Sequence, residues 1–306
     1  MSKTLLSRAP RAAVAWCALV ALTLSALAPC GFALELRPTK EFRDVAAAVD
    51  RLADQYGPEH VLLVLDIDNT IMAMNTDLGS DHWFEWQNYL LQNEPDSPYL
   101  VADTFDGLLE VQGILYNLSH MHPPQPDLPE IIRGVQKRGI STIILTSRGD
   151  EFRAATEREL SRNGYDFKAN ALAVKGVPGG PYLPYDPAHP EKDGLLAKEV
   201  KLLKLEEPRP VSYEDGIFMT AGQHKGVMLL TLLHHSDRDI KAIVYADDNV
   251  RHVGSMFSSA VDRNLDVSSF HYTKEDTRVQ KFNYGSKDDV TRRWHRLRDT
   301  VQAVFE

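Results

Sequence analysis

Two aspartates one residue apart, closed by a threonine, follow directly on five aliphatic residues. The run is Val61-Leu62-Leu63-Val64-Leu65, and then Asp66-Ile67-Asp68-Asn69-Thr70. Carboxylates this close repel one another unless a cation or a proton separates their roles. One of them, at the end of a strand, can attack phosphorus and form an aspartyl-phosphate. The other can protonate the leaving oxygen and later take a proton from the attacking water. A surface turn rich in Asp and Asn accounts for the same residues equally well, so the pattern alone leaves both readings open.

Three further groups stand at comparable positions. Thr146 ends the run Ser141-Thr142-Ile143-Ile144-Leu145, where its hydroxyl can donate to a phosphate oxygen; Arg148, two residues on, adds positive charge. A hydroxyl at a strand end also serves simply to cap the next helix. Lys225, in Gly222-Gln223-His224-Lys225-Gly226, opens a predicted helix, whose positive end repels an ammonium. Its placement there points to a local anion, although a solvated surface lysine is the common case. Asp247 and Asp248 follow Ile240-Lys241-Ala242-Ile243-Val244-Tyr245 and offer the hard oxygen ligands that Mg²⁺ prefers. A turn with two solvated acids is the alternative.

The elements that must hold these residues form a regular alternation. The three aliphatic runs lack the period-two pattern of a half-exposed strand, which suits parallel strands covered on both faces. Helical spacing precedes each of them, over 42–55, 129–138 and 225–235. Polar residues gather at the carboxyl end of every strand, where open α/β sheets bind their ligands. The expected fold is therefore α/β, a Rossmann-like parallel sheet with helices on both faces. Residues 76–127, with Trp83, Phe84, Trp86, Tyr89 and Leu90, read as a helical insertion after the first strand. Residues 174–224 form a Pro-rich second insertion ending in a hairpin over Ile217–Gly222, and residues 289–305 read as an amphipathic final helix.

In this order and context the motifs resemble those of the haloacid dehalogenase superfamily of phosphohydrolases. Val64-Leu65-Asp66-Ile67-Asp68-Asn69-Thr70, Leu145-Thr146-Ser147-Arg148, His224-Lys225-Gly226 and Tyr245-Ala246-Asp247-Asp248-Asn249 carry the likeness, which covers residues 58–255. The Thr-Ser-Arg ending is similar to that of exported acid phosphatases. The lysine hairpin is similar to a poorly characterised, DUF-type bacterial branch. The resemblance implies Asp66 as nucleophile and Mg²⁺ ligand. It implies Asp68 as general acid/base and as a metal ligand through its backbone carbonyl. Thr146 and Lys225, with Arg148, would hold phosphoryl oxygens, Asp247 would ligate the metal, and Asp248 would assist directly or through water. The long Pro-rich segment departs from the small acid phosphatases, so no substrate range transfers with the likeness.

Composition bounds what remains. The 306-residue chain has 34 Lys+Arg against 43 Asp+Glu, a formal charge of −9, which argues against nucleic acid as the main partner. Residues 1–33 begin with Lys3, Arg8 and Arg11 and continue into an uncharged, Ala- and Leu-rich stretch ending Pro29-Cys30-Gly31-Phe32-Ala33. This reads as a cleaved export signal, leaving a core over 34–306 for the periplasm or the exterior and no stable membrane insertion. An uncleaved N-terminal anchor is the competing reading. Both cysteines lie in that segment, so a processed chain has no disulfide and no thiolate chemistry.

Trp83 and Trp86 either stack on a substrate as part of a cap or form the insertion's own core. His120 and His122, and the adjacent His234 and His235, read as structural. The expected function is exported, Mg²⁺-dependent hydrolysis of a small phosphate monoester. A phosphotransferase or phosphomutase on the same scaffold, and a non-catalytic envelope binding protein, are the alternatives.

Overall fold

The computed structural model describes residues 33–261 and 263–305. The expected signal segment, with Cys17 and Cys30, lies outside the described residues except for Ala33. In chain order the first half contains β1 (Leu34–Thr39), α1 (Phe42–Tyr56), β2 (Val61–Leu65), β3 (Ala73–Met74), α2 (Asp81–Asn93) and α3 (Phe105–Leu118). It continues with β4 (Met121–His122), α4 (Leu128–Lys137), β5 (Ser141–Thr146) and α5 (Arg153–Arg162). The second half contains α6 (Ala197–Leu202), β6 (Ser212–Glu214), β7 (Ile217–Met219), α7 (Lys225–His234), β8 (Ala242–Asp247) and α8 (Val250–Ala260). It closes with β9 (Asp266–Tyr272), α9 (Asp276–Tyr284) and α10 (Asp288–Phe305).

Seven strands make one sheet in the order β1-β9-β8-β2-β5-β7-β6, parallel except where β6 returns antiparallel to β7. The fold is thus Rossmann-like α/β with helices on both faces. β2 shows why a run of five aliphatic residues is needed. Val61, Leu63 and Leu65 pack against α1, α4 and α5 on one face, while Leu62 and Val64 pack on the other against α7 and α8. All five are 0% exposed. A polar residue anywhere in β2 would be buried without a partner, so period-two alternation is excluded.

β5 and β8 flank β2 on opposite sides. The chain therefore leaves β2 toward one side of the sheet and later fills the other, which opens a crevice at the carboxyl ends of these three strands. Asp66, Thr146 and Asp247 all sit at that edge.

The region after β2 is a helical insertion, closed at its base by the antiparallel pairing of β3 with β4. Its core comprises Leu78, Trp83, Leu108 and Leu115, joined by Phe282 of α9 and Val290 of α10. The C-terminal helices therefore cover the insertion rather than the sheet. Trp294 and Leu297 continue the α10 stripe onto it.

The structure differs from the sequence reading in three places. The hairpin lies upstream of the expected Ile217–Gly222, between β6 and β7, around Asp215-Gly216. Both turn residues have positive φ, 50° and 79°, the conformation of a two-residue loop that Asp-Gly favours. The Pro-rich segment is part of the core: Tyr185, Leu195, Val200, Leu205 and Val211 cover one face of the sheet beside α7. Strands β1 and β9 add a parallel edge that residue types concealed, because β1 is mostly exposed and β9 buries serines. Among the described residues no helix is long and apolar enough to cross a membrane.

Candidate active site

Each motif is shaped locally before it is assembled. After β2 the chain turns sharply: Asn69 takes φ 57°, a left-handed conformation that Asn tolerates better than most residues. Asn69 N–H donates to Met72 O at 2.8 Å, which turns Asp66 and Asp68 toward the crevice. The Thr70 hydroxyl donates to Asp66 Oδ2 at 3.4 Å and accepts the Asp248 N–H at 2.9 Å. The first motif is thus tied directly to the fourth.

In the third motif three adjacent residues have three different tasks. His224 caps α7, its Nδ1 accepting the Val227 N–H at 3.2 Å. Lys225 follows as the first helical residue, buried at 1% exposure. A side chain on Gly226 would stand 2.4 Å from Ser259 Oγ and 2.6 Å from Ser255 O of α8. Only glycine lets the two helices approach this closely, and that approach delivers Lys225 to the strand ends.

The Lys225 ammonium donates to Asp66 Oδ1 at 2.5 Å and to Asp247 Oδ2 at 2.7 Å. The local anion expected from its position is therefore a pair of carboxylates of the chain itself. One ammonium cannot fully compensate two acids, and the two are held differently. Burial works against the Asp247 charge, but Lys225 and His252 outweigh it and hold the carboxyl well below the usual range. Tyr245 O–H donates to its Oδ2, and the Asn249 N–H to its Oδ1 at 2.8 Å. His252 Nδ1 stands 3.3 Å from Oδ2, without hydrogen-bond geometry. Asp66 has the opposite fate. Burial, only partly offset by Lys225 and reinforced by Asp247 and Asp68, pushes it up to about 6. Asp248 is likewise raised, by burial and then by Asp81, Asp247 and Asp66.

Carboxylate oxygens of Asp66, Asp247 and Asp248 lie within 4.8 Å of one another. Three hard, anionic donors at this spacing, with the Asp66 and Asp248 carboxyls raised by burial and by their acidic neighbours, suit a hard divalent cation. Above them opens a cleft of about 630 Å³, whose lining includes Asp66, Asp68, Thr146, Lys225 and Asp248. Asp247 lies behind this lining, 0% exposed, against Lys225. The tertiary structure thus brings these six residues from the ends of β2, β5 and β8 and the start of α7 to one place.

Arg148 is a correction. Expected to hold phosphate oxygens, it is instead 5% exposed and absent from the cleft lining. Its Nε and Nη2 grip both oxygens of Asp68, at 2.9 and 2.7 Å, and its Nη1 donates to Thr156 at 2.8 Å. The guanidinium lies 4.1 Å from the centre of the Tyr116 ring of α3. A buried guanidinium finds its best partner in the nearest carboxylate, so Arg148 positions Asp68 rather than a ligand. Replacing Arg148 by Met should lower the unfolding free energy by about 3 kcal/mol, because Asp68 is left without its partner. Urea titration at pH 7.5 measures this, and a loss below about 1 kcal/mol would mean that the pair acts as an exposed one.

For Trp83 and Trp86 the structure decides between the two readings in favour of the insertion's own core. Trp83 is 1% exposed inside the insertion, and Trp86 packs on Tyr99 and Phe282. Neither lines the cleft. The opposite face of α2 does so through Asp81, Phe84, Glu85 and Asn88, at i, i+3, i+4 and i+7. That spacing is present in the sequence, on the face that the two tryptophans leave free. Sequence reasoning also passed over Arg251 and His252 of α8, which follow the fourth motif and line the far wall. Two of the histidines read as structural stand apart from the site: His235 faces Asp193 at 3.3 Å and His122 faces Asn75 at 2.7 Å.

A family model described as a protein of unknown function, DUF2608, matches residues 38–303. No curated protein and no solved structure matches the chain.

Proposed function

The chain belongs to the DUF2608 family, and we propose that it is a divalent-metal-dependent phosphohydrolase acting on phosphate monoesters through an aspartyl-phosphate. One observation carries the reading: three carboxylates converge at the ends of two neighbouring parallel strands, with one buried ammonium between two of them. A simple anion-binding pocket would not collect acids, and a structural ion-pair network would not leave Asp66 and Asp248 wanting positive charge. The likeness of the four motifs to the haloacid dehalogenase superfamily supports the same reading.

In this proposal Asp66 is the nucleophile, its carboxylate facing the cleft floor. Asp66, Asp247 and Asp248 hold the cation, and Mg²⁺ is the candidate that their all-oxygen donor set favours. When bound, such an ion brings together the nucleophile and the phosphate, two anions that otherwise repel. Thr146 offers its hydroxyl to a phosphoryl oxygen, and Lys225 supplies fixed positive charge beside Asp66. Asp68, held by Arg148, is the acid/base that moves protons during transfer. The insertion shapes the space for the leaving group through α2. Export, directed by residues 1–33, belongs to the same proposal, as does a small phosphorylated substrate rather than a nucleic acid.

Phosphate release from p-nitrophenyl phosphate should require added Mg²⁺ and stop with EDTA. Asp247→Asn should raise the Mg²⁺ concentration for half-activation by about tenfold or more, because one ligand charge is lost. Turnover indifferent to both EDTA and this substitution would sink the reading.

A further inference from the structure

The cleft of about 630 Å³ has far more room than a phosphoryl group needs, so most of it faces the leaving group. Among the described residues two side chains of its lining carry a permanent positive charge, Lys225 and Arg251. Lys225 is 1% exposed and committed to Asp66 and Asp247. The Arg251 side chain, on the wall formed by α8, is 76% exposed. A short relay nevertheless ties it to Asp247. Asn249 N–H donates to Asp247 Oδ1 at 2.8 Å, and Asn249 Oδ1 accepts the Arg251 N–H at 3.0 Å and its Nε–H at 3.4 Å. From there Nη2 reaches across to α2 and donates to Glu85 Oε1 at 3.2 Å, whereas Nη1 has no partner among the described residues. Glu85 is itself 53% exposed, and an ion pair between two such side chains is weak. A carboxylate or phosphate of a ligand, held by two parallel N–H groups, is the better partner for a guanidinium.

We infer, resting on the phosphohydrolase reading above, that the substrate is a phosphate monoester whose alcohol carries a second anionic group, a carboxylate or a further phosphate. Arg251 binds that group, and Glu85 is the partner that it displaces. Charge sets where the group stands. Asp81 lines the wall of α2 one turn before Glu85, and the acids acting on it include Asp68 and Asp66. A second anion close to the ester would meet these carboxylates, so it belongs at the far end of the leaving group, beside Arg251. Arg251 thus selects one class of ester and takes no part in breaking the bond. If its pair with Glu85 merely fastened α2 to α8, removing either partner would act alike on every ester.

kcat/KM with Mg²⁺ is measured on two matched pairs: 3-phosphoglycerate against glycerol 3-phosphate, and fructose 1,6-bisphosphate against fructose 6-phosphate. The first member should be preferred in at least one pair, and the pair that responds tells carboxylate from phosphate. Arg251→Met should cost about tenfold or more on that ester, as expected for loss of a charged hydrogen bond, and less than about threefold on the partner lacking the second anion. Glu85→Gln should act in the opposite direction and raise the preference about threefold, since it removes both a competitor and a like charge. No preference in either pair, equal losses within a pair for Arg251→Met, or a matching loss for Glu85→Gln would overturn the assignment alone. A wild-type chain inert toward all four esters and toward p-nitrophenyl phosphate would overturn the phosphohydrolase reading, and this assignment with it.

Discussion

Asp66→Asn should reduce turnover of p-nitrophenyl phosphate by about 10⁴-fold or more, while the fold persists. The substitution keeps the shape of the side chain and its acceptor for Lys225, but an amide oxygen does not attack phosphorus at a useful rate. The same change should leave stability in EDTA unchanged or raised. Asp66 is buried beside Asp247 and Asp68, and its carboxyl is pushed up to about 6, so keeping it ionised at pH 7.5 costs the native state free energy. Asparagine removes that cost. Steady-state kinetics with Mg²⁺ and urea titration with EDTA separate the two effects. Residual activity within tenfold of wild type would remove Asp66 as nucleophile, and a collapse in stability would instead make it a structural acid.

Lys225→Met should have the largest effect on stability. Its ammonium is 1% exposed and held between Asp66 and Asp247. Burial opposes its charge, but the two acids outweigh that and hold its pKa above the ordinary lysine range. Methionine fills a similar volume and leaves two buried carboxylates without their shared cation. Removing one partner of such a buried pair costs about 3–5 kcal/mol.

The loss should depend on pH in a definite direction. A lysine with a raised folded pKa contributes its full stabilisation at every pH below its unfolded value and loses it only in strong alkali. The stranded acids, in contrast, can escape by taking up protons. In the variant the penalty should therefore be greatest at pH 7.5 and shrink toward pH 4, as Asp66 protonates first. Added Mg²⁺ should restore part of the stability at pH 7.5, because it resupplies positive charge to the same oxygens. A variant as stable as wild type at pH 7.5 in EDTA would show that the ammonium is not buried between these acids.

The elements legible in the chain were those whose residues face two ways at once. β2 is aliphatic throughout, and β5 and β8 are fully buried along their lengths, because both faces of these strands are covered. α1, α4 and α7 begin and end close to where hydrophobic spacing placed them. β1 and β9 escaped notice for the complementary reason. An edge strand with one exposed face, and a neighbour that buries Ser268 and Ser269, carry little aliphatic signal. The Asp215-Gly216 turn was visible as a dipeptide but lay beyond the stretch taken for the hairpin.

The site divides in the same way. Residue type and position at a strand end or, for Lys225, a helix start were enough to single out Asp66, Asp68, Thr146, Lys225, Asp247 and Asp248, because in a parallel α/β sheet those positions gather at one edge. What a side chain does at that edge depends on its nearest partner, which lies far off in the chain. Arg148 has the charge for a phosphate, yet Asp68, 80 residues away in sequence, takes both prongs of its guanidinium. α2 could have turned either face inward. The packing of Trp83 on Leu108 and Leu115 and of Trp86 on Phe282, beneath α9 and α10, turned the Asp81 face toward the cleft. Local sequence thus determined the sheet, the helices and the candidate acids, since short-range sterics and burial on two faces leave few choices. Long-range packing decided which charges meet, because the strength of a charge depends on distance and burial, and neither exists until the chain has closed on itself.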